Sequence, residues 1–234
     1  MKSGKRLSLV TQGFVACAVL MAAFVSEAEG TGRSSQDVSR SENTDVGVTP
    51  VMLSLFTPVE VPWWHSAWDV SGVRFCLPYG SCRDLSGLDV GVVTHATSSC
   101  GLQISAVNLV DEDVRMTLSV GGLVNTVGGS YTGFEIGGLV NVVNNDAQAL
   151  QVAGLVNVVD GSFTGAQVGF VNVTSQAKDA WQIGFWNQGE EFDHCGQVGV
   201  INFANDMNVG VQFGLINVIQ NNEYPCIPIM NCHF

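Results

Sequence analysis

Gln167-Val-Gly-Phe-Val-Asn172, Gln182-Ile-Gly-Phe-Trp-Asn187, Gln197-Val-Gly-Val-Ile-Asn202 and Gln212-Phe-Gly-Leu-Ile-Asn217 are versions of one phrase, spaced 15 residues apart. Towards the N-terminus its asparagine recurs at Asn157, Asn141, Asn125 and Asn108, and the gaps lengthen from 15 to 16 and then 17 residues. Three residues before the asparagine stands Gly122, Gly138, Gly154, Gly169, Gly184, Gly199 or Gly214, with Ser105 replacing it in the first unit. Five residues before Asn108 lies Gln103, the counterpart of the later glutamines. Asp89-Val-Gly-Val-Val-Thr94 reads as a degenerate unit with threonine in the asparagine slot. Tandem self-similarity at a short fixed period marks an architecture in which each unit is one structural module.

Each unit joins a run rich in Val, Ile, Phe and Leu to a polar stretch such as Asp160-Gly-Ser-Phe-Thr-Gly165. Such residues favour strands, and no segment sustains a helical period. The predicted fold class is therefore all-β, built of tandem 15–16-residue repeats. Two architectures fit. In a β-solenoid each unit is one coil, since 15 extended residues span at most about 50 Å. Equivalent residues then stack about 4.8 Å apart, and asparagine on asparagine forms an amide ladder. In a meandering antiparallel β-barrel each unit is one strand and a turn, and a chain ending in Phe234 suits a barrel of the outer membrane. The solenoid is favoured because antiparallel neighbours would put the asparagine at alternating ends. Val168, Phe170, Val171 and Val173 also place apolar groups on both faces, whereas a membrane strand has one polar face. Pro225 and Pro228 would interrupt the last strand.

The rest of the chain divides around the repeats at 101–219. Residues 1–28 read as a signal peptide: basic Met1-Lys-Ser-Gly-Lys-Arg6, an apolar stretch from Leu7 to Val25, and small residues at Ser26 and Ala28 before the cleavage point. An uncleaved anchor and a lipoprotein signal at Phe14-Val-Ala-Cys17 are alternative readings. Residues 29–49 are polar and read as a disordered linker. Residues 50–100 form a capping β region, including Pro62-Trp-Trp-His-Ser-Ala-Trp68, a packed cap or a membrane-interface cluster. Residues 220–234 are a C-terminal cap. The chain is thus expected to be exported, to the cell surface, outer membrane or periplasm of a bacterium.

Export bears on the cysteines. Beyond the leader there are six: Cys76, Cys82, Cys100, Cys195, Cys226 and Cys232. An even number in an oxidising compartment suggests disulfides, with Cys76–Cys82 and Cys226–Cys232 as closed loops and Cys100–Cys195 remaining. Buried thiols are the alternative. The net charge of −12 becomes −14 once the leader takes away three basic side chains and one acidic, which disfavours nucleic acid as a partner. The composition, 46% hydrophobic and 13% charged, is that of a folded domain.

Gln-Val-Gly-Phe-Val-Asn, Gln-Ile-Gly-Phe-Trp-Asn and Gln-Phe-Gly-Leu-Ile-Asn resemble the units of the leptospiral-type bacterial surface-repeat family. Val70-Ser-Gly-Val-Arg-Phe75 with Gly87-Leu-Asp-Val-Gly91, and Tyr224-Pro-Cys-Ile-Pro-Ile-Met-Asn-Cys-His-Phe234, resemble that family's first region and its end. The resemblance spans roughly Val51 to Phe234 and implies an envelope-associated protein with no defined activity.

Motifs for nucleotide, zinc-protease or serine-hydrolase chemistry do not occur, so the chain is read as non-enzymatic, with no cofactor and no metal. Two clusters fall short of a metal site: Asp193-His194-Cys195 beside Glu190 and Glu191, which lies in an inter-repeat turn, for a transition metal, and the acidic turn Asp111-Glu-Asp113, which lacks the Asp-rich nonapeptide pattern, for calcium. Asn172-Val-Thr174 matches a glycosylation sequon, but Asn172 belongs to the repeat. The expected role is structural or interactive, towards an unknown protein or surface ligand. The alternative is an outer-membrane channel or anchor.

Overall fold

The computed structural model describes residues 47–56, 59–61 and 68–234. The leader, the linker up to residue 46 and Pro62–Ala67 of the tryptophan cluster lie outside the described residues. The strands are β1 (Val48–Phe56), β2 (Val59–Val61), β3 (Asp69–Val110), β4 (Val114–Val127), β5 (Tyr131–Gly137), β6 (Val140–Val143), β7 (Ala147–Ala153), β8 (Val156–Val168), β9 (Val171–Asp193), β10 (Cys195–Met207), β11 (Gly210–Ile219) and β12 (Cys226–His233). The long ones bend round corners, and β3 makes nearly three circuits: Gly72, Gly87 and Gly101 stack so closely that a Cβ on one would meet the carbonyl of the one before at 2.1–2.2 Å.

Successive coils pair in parallel and in register. Asn157 lies opposite Asn172 and Gln167 opposite Gln182; Asn187 lies opposite Asn202, and Asn202 opposite Asn217. This is the β-solenoid. It overturns the meandering barrel, whose neighbours must run antiparallel. Among the described residues only the two ends reverse direction: β2 runs antiparallel to β1 and β12 antiparallel to β11. A reversed terminal strand breaks the template that an open parallel edge would offer to another chain. Pro228, without an N–H, falls where the β11–β12 register shifts between Gly214 and Asn217, a position that spares the ladder a missing donor.

The interior has an apolar half and a polar half. Val110, Val127, Val143 and Val159 are buried in the first. Beside them runs a column of alternating volume: Tyr131 stacks on Ala147, Ala147 on Phe163 and Phe163 on Ala177, and Phe192 follows 15 residues later. Coils are only about 4.8 Å apart, so each ring takes the space left by the alanine beside it. The 15- and 16-residue units differ at one corner. Bends at Gly138-Leu139, Gly154-Leu155 and Gly169-Phe170 split β5 from β6, β7 from β8 and β8 from β9.

The cysteine pairing expected from the sequence does not form; all six sulfurs remain thiols. Cys226 and Cys232 sit at either end of the extended β12, roughly 20 Å apart by strand rise, whereas a disulfide spans about 4.4–6.8 Å between Cα atoms. Cys100 and Cys195 are separated by six coil spacings, roughly 29 Å. Cys76 turns its Sγ to Asp89 at 3.7 Å, and burial pushes its thiol up to about 12.

The repeat glycines test this packing. A Cβ at Gly184 would fall 2.2 Å from the Gly169 carbonyl oxygen and 2.7 Å from the Asn172 amide. At exposed Gly122 the nearest atoms are 3.5 Å away or more. Gly184→Ala should therefore cost at least ~2 kcal/mol, and Gly122→Ala less than ~1 kcal/mol. Equal losses in urea unfolding would contradict the stacked arrangement.

Candidate functional site

The asparagines and glutamines singled out by the repeat lie in two side-chain columns in the polar half, and the repeat glycines mark the bend between them. In the first, each asparagine Nδ2 donates to the Oδ1 of the asparagine one coil further on. The distances are 2.7 Å for Asn108 to Asn125, 2.8 Å for Asn125 to Asn141 and 2.9 Å for Asn141 to Asn157. They are 2.8 Å for Asn157 to Asn172, Asn172 to Asn187 and Asn187 to Asn202, and 2.7 Å for Asn202 to Asn217. The second amide proton goes to the main chain. Asn157 donates to the Val168 carbonyl at 3.0 Å, Asn172 to Ile183 at 3.0 Å, Asn187 to Val198 at 2.9 Å and Asn202 to Phe213 at 2.8 Å. These carbonyls immediately precede the repeat glycine, so the side chain pins the next coil where it bends.

Both ends of the column are capped. Thr94, in the asparagine slot of the degenerate unit, donates its hydroxyl to Asn108 Oδ1 at 2.8 Å, and Ser105 does so at 2.7 Å. Asn217 donates to the Gly214 carbonyl at 2.9 Å and to Ile227 of β12 at 3.2 Å. The asparagines from 108 to 217 are buried. Asn172 is thereby sealed in the ladder, away from any glycosylating enzyme.

The glutamines form a second column with the opposite polarity. Gln212 donates to Gln197 at 2.6 Å, Gln197 to Gln182 at 2.8 Å, Gln182 to Gln167 at 2.9 Å and Gln167 to Gln151 at 2.9 Å. Gln151 then donates to Glu135 Oε2 at 2.7 Å. Glu135 and Ser119 occupy glutamine positions that the five-residue spacing does not find, because the extra residue of the longer units puts them six residues before the asparagine. Arg74 and Asp89 follow Gly72 and Gly87 by two residues, as Gln103 follows Gly101, and so extend the same column. They form a fully buried bidentate pair, Nε–Oδ1 3.0 Å and Nη2–Oδ2 2.6 Å, and Nη1 donates to the His95 carbonyl at 2.9 Å. This fork geometry lets a buried ion pair satisfy both partners.

The two metal-like clusters do not converge. Cys195 points inward while His194 is exposed and contacts Asp193 at 3.1 Å. In the acidic turn, Asp111 reaches His95 at 3.0 Å and Asp113 accepts the Ser130 N–H at 2.9 Å. Among the described residues no three His, Cys, Asp or Glu side chains gather round a common point. Two shallow clefts open between turns, about 190 Å³ beside Lys178 and Glu191 and about 380 Å³ beside Glu112 and Arg115. Neither lining includes a histidine or a ladder amide.

Comparison with known proteins found no matching family model, no matching curated protein and no matching solved structure. The resemblance to the leptospiral-type repeats rests on the repeat residues themselves.

Two predictions follow from the columns. Asn187→Leu strips Asn172 Nδ2, Asn202 Oδ1 and the Val198 carbonyl of partners, at about 1–3 kcal/mol for each group. A melting temperature equal to that of the wild type would count against the ladder. Glu135 is wholly buried, and desolvation pushes its carboxyl up to about 8 against a weaker downward pull from the Gln151 amide. The folded state therefore holds the proton more tightly than the unfolded chain. Its stabilisation is complete below the ordinary carboxylate range, near 4.3, and is lost as pH rises through about 8. Glu135→Gln keeps an acceptor for Gln151 and removes this dependence. Its stability advantage should widen by a few kcal/mol between about pH 4 and about pH 9; a pH-independent difference in urea titrations would refute the assignment.

Proposed function

We propose that this chain is an exported, envelope- or surface-associated repeat protein with a structural or interaction role and no catalytic activity of its own. The observation that carries the reading is where the polar chemistry goes. Amides, hydroxyls and the one buried ion pair of the repeat column are spent on each other and on main-chain carbonyls inside the coils. Solenoids of this kind present long surfaces in place of deep pockets. The basic and apolar leader with small residues at Ser26 and Ala28 supports export, and the repeat resemblance supports the envelope of a bacterium. The acidic balance favours a protein or other surface ligand over nucleic acid as partner.

Expression in a bacterial host with N-terminal sequencing and fractionation tests this. The expected result is a chain processed after Ala28, recovered with the envelope and cut by protease added to intact cells. An unprocessed chain confined to the cytosol would overturn it.

A further inference from the structure

Three outward-facing positions per coil flank the glutamine and glycine slots: the residue before the glutamine column, the residue after it, and the residue two before the asparagine. Over the eight coils from Gln103 to Gln212 the first reads Leu102, Leu118, Phe134, Leu150, Ala166, Trp181, Gly196 and Val211. The second runs from Ile104 to Phe213 and the third from Ala106 to Leu215, and none of these positions carries a polar side chain. Strand alternation puts the first two on one side of the coil, since the glutamine column between them points in, and the third, past the glycine bend, is exposed at Leu123, Leu139, Leu155, Phe170, Phe185 and Leu215. They are well exposed: Phe134 58%, Phe170 52%, Trp181 47% and Leu215 69%. The Phe170 and Phe185 rings stack at 4.8 Å and 5°, so the aromatic side chains are ordered by the coil spacing.

A water-facing sheet normally alternates apolar with polar residues, and an apolar patch beyond a few hundred Å² marks an interaction surface. We propose that this face joins two copies of the chain in a twofold dimer. The size fits. Seven coil intervals by a strand width of about 18 Å give on the order of 600 Å² per copy, and two copies bury on the order of 1,200 Å², the lower bound of a stable interface. Charge fits as well. Acidic groups of the repeats, such as Asp146, Asp160, Glu191 and Asp206, lie outside these three positions, while the same stretch holds only Arg115 and Lys178 as cations. A second copy meets the face without burying a charge, whereas an anionic bilayer would find almost no cation to hold it. An isologous pairing also closes on itself, which limits assembly to two chains.

The proposal extends the interaction role by naming the partner, and its test is separate from that of location. Sedimentation equilibrium of the full chain across the micromolar range should give a dimer that tightens with added salt, as apolar contacts between two acidic chains require. Ile183→Lys and Phe134→Lys, on exposed side chains, should each give a monomer with unchanged circular dichroism and melting. Lys178→Glu, a charge change outside these three positions, should leave the dimer intact. A wild-type monomer at all concentrations would overturn the proposal. So would a dimer that survives both lysine variants, or a monomer that floats with phosphatidylcholine vesicles. A surface-located monomer would sink the dimer and leave the location standing; a cytosolic dimer would do the reverse.

Discussion

The hydrogen bond from one asparagine side chain to the next, made across a single coil spacing, is the constraint on which this structure depends. An amide has a donor end and an acceptor end, and a stack of amides 4.8 Å apart joins only when every coil is parallel and in register. Once it joins, the second amide proton is free to hold a bend carbonyl, as Asn187 holds Val198. At Gly184, Gly199 and Gly214 the bend must then lack a Cβ, because that atom would meet the carbonyl of the repeat glycine one coil back and the asparagine amide. Asparagine, glycine and the parallel register are three views of one requirement.

The polarity of the columns has a physical origin at their ends. The asparagine column starts on hydroxyl donors, Thr94 and Ser105, so its acceptors face the N-terminal end. The glutamine column reaches Glu135 there, whose Oε2 accepts from Gln151, so its donors face the N-terminal end. The antiparallel polarity of the two columns lets neighbouring amide dipoles oppose each other inside a medium of low dielectric constant. Beyond Gln103, which accepts from Ser119 at 3.3 Å, the column changes from amides to the ion pair of Arg74 and Asp89, which satisfies the same geometry with a guanidinium fork.

Much of the fold was legible in the sequence, because identical residues at identical spacing are what stacked coils demand. Thr94 could be assigned to the asparagine slot on spacing alone. Glu135 and Ser119 escaped, since a bend of one extra residue moves them out of the five-residue offset while leaving them in the same column. Arg74 escaped because it does not resemble glutamine and its coil has no asparagine to anchor the count, whereas Asp89 stood in the glutamine slot of the Thr94 unit without being read as its partner. The barrel stayed open because a single unit is silent on the direction of its neighbour. The cysteine pairings failed for a different reason: parity and export say nothing about register, and register places Cys226 and Cys232 along one extended strand and Cys100 far from Cys195. The apolar outer face was visible as apolar residues on both sides of the strand, and it became a surface only once the inward positions were fixed.

The most direct measurement is the separation of side-chain atoms in neighbouring coils, by crystallography or by NMR couplings through the hydrogen bond, at Asn172, Asn187 and Asn202. The account predicts Nδ2 to Oδ1 distances of 2.8 Å from Asn172 to Asn187 and from Asn187 to Asn202, with both amides pointing the same way along the axis. Separations beyond about 3.5 Å, too long for a hydrogen bond, would contradict it.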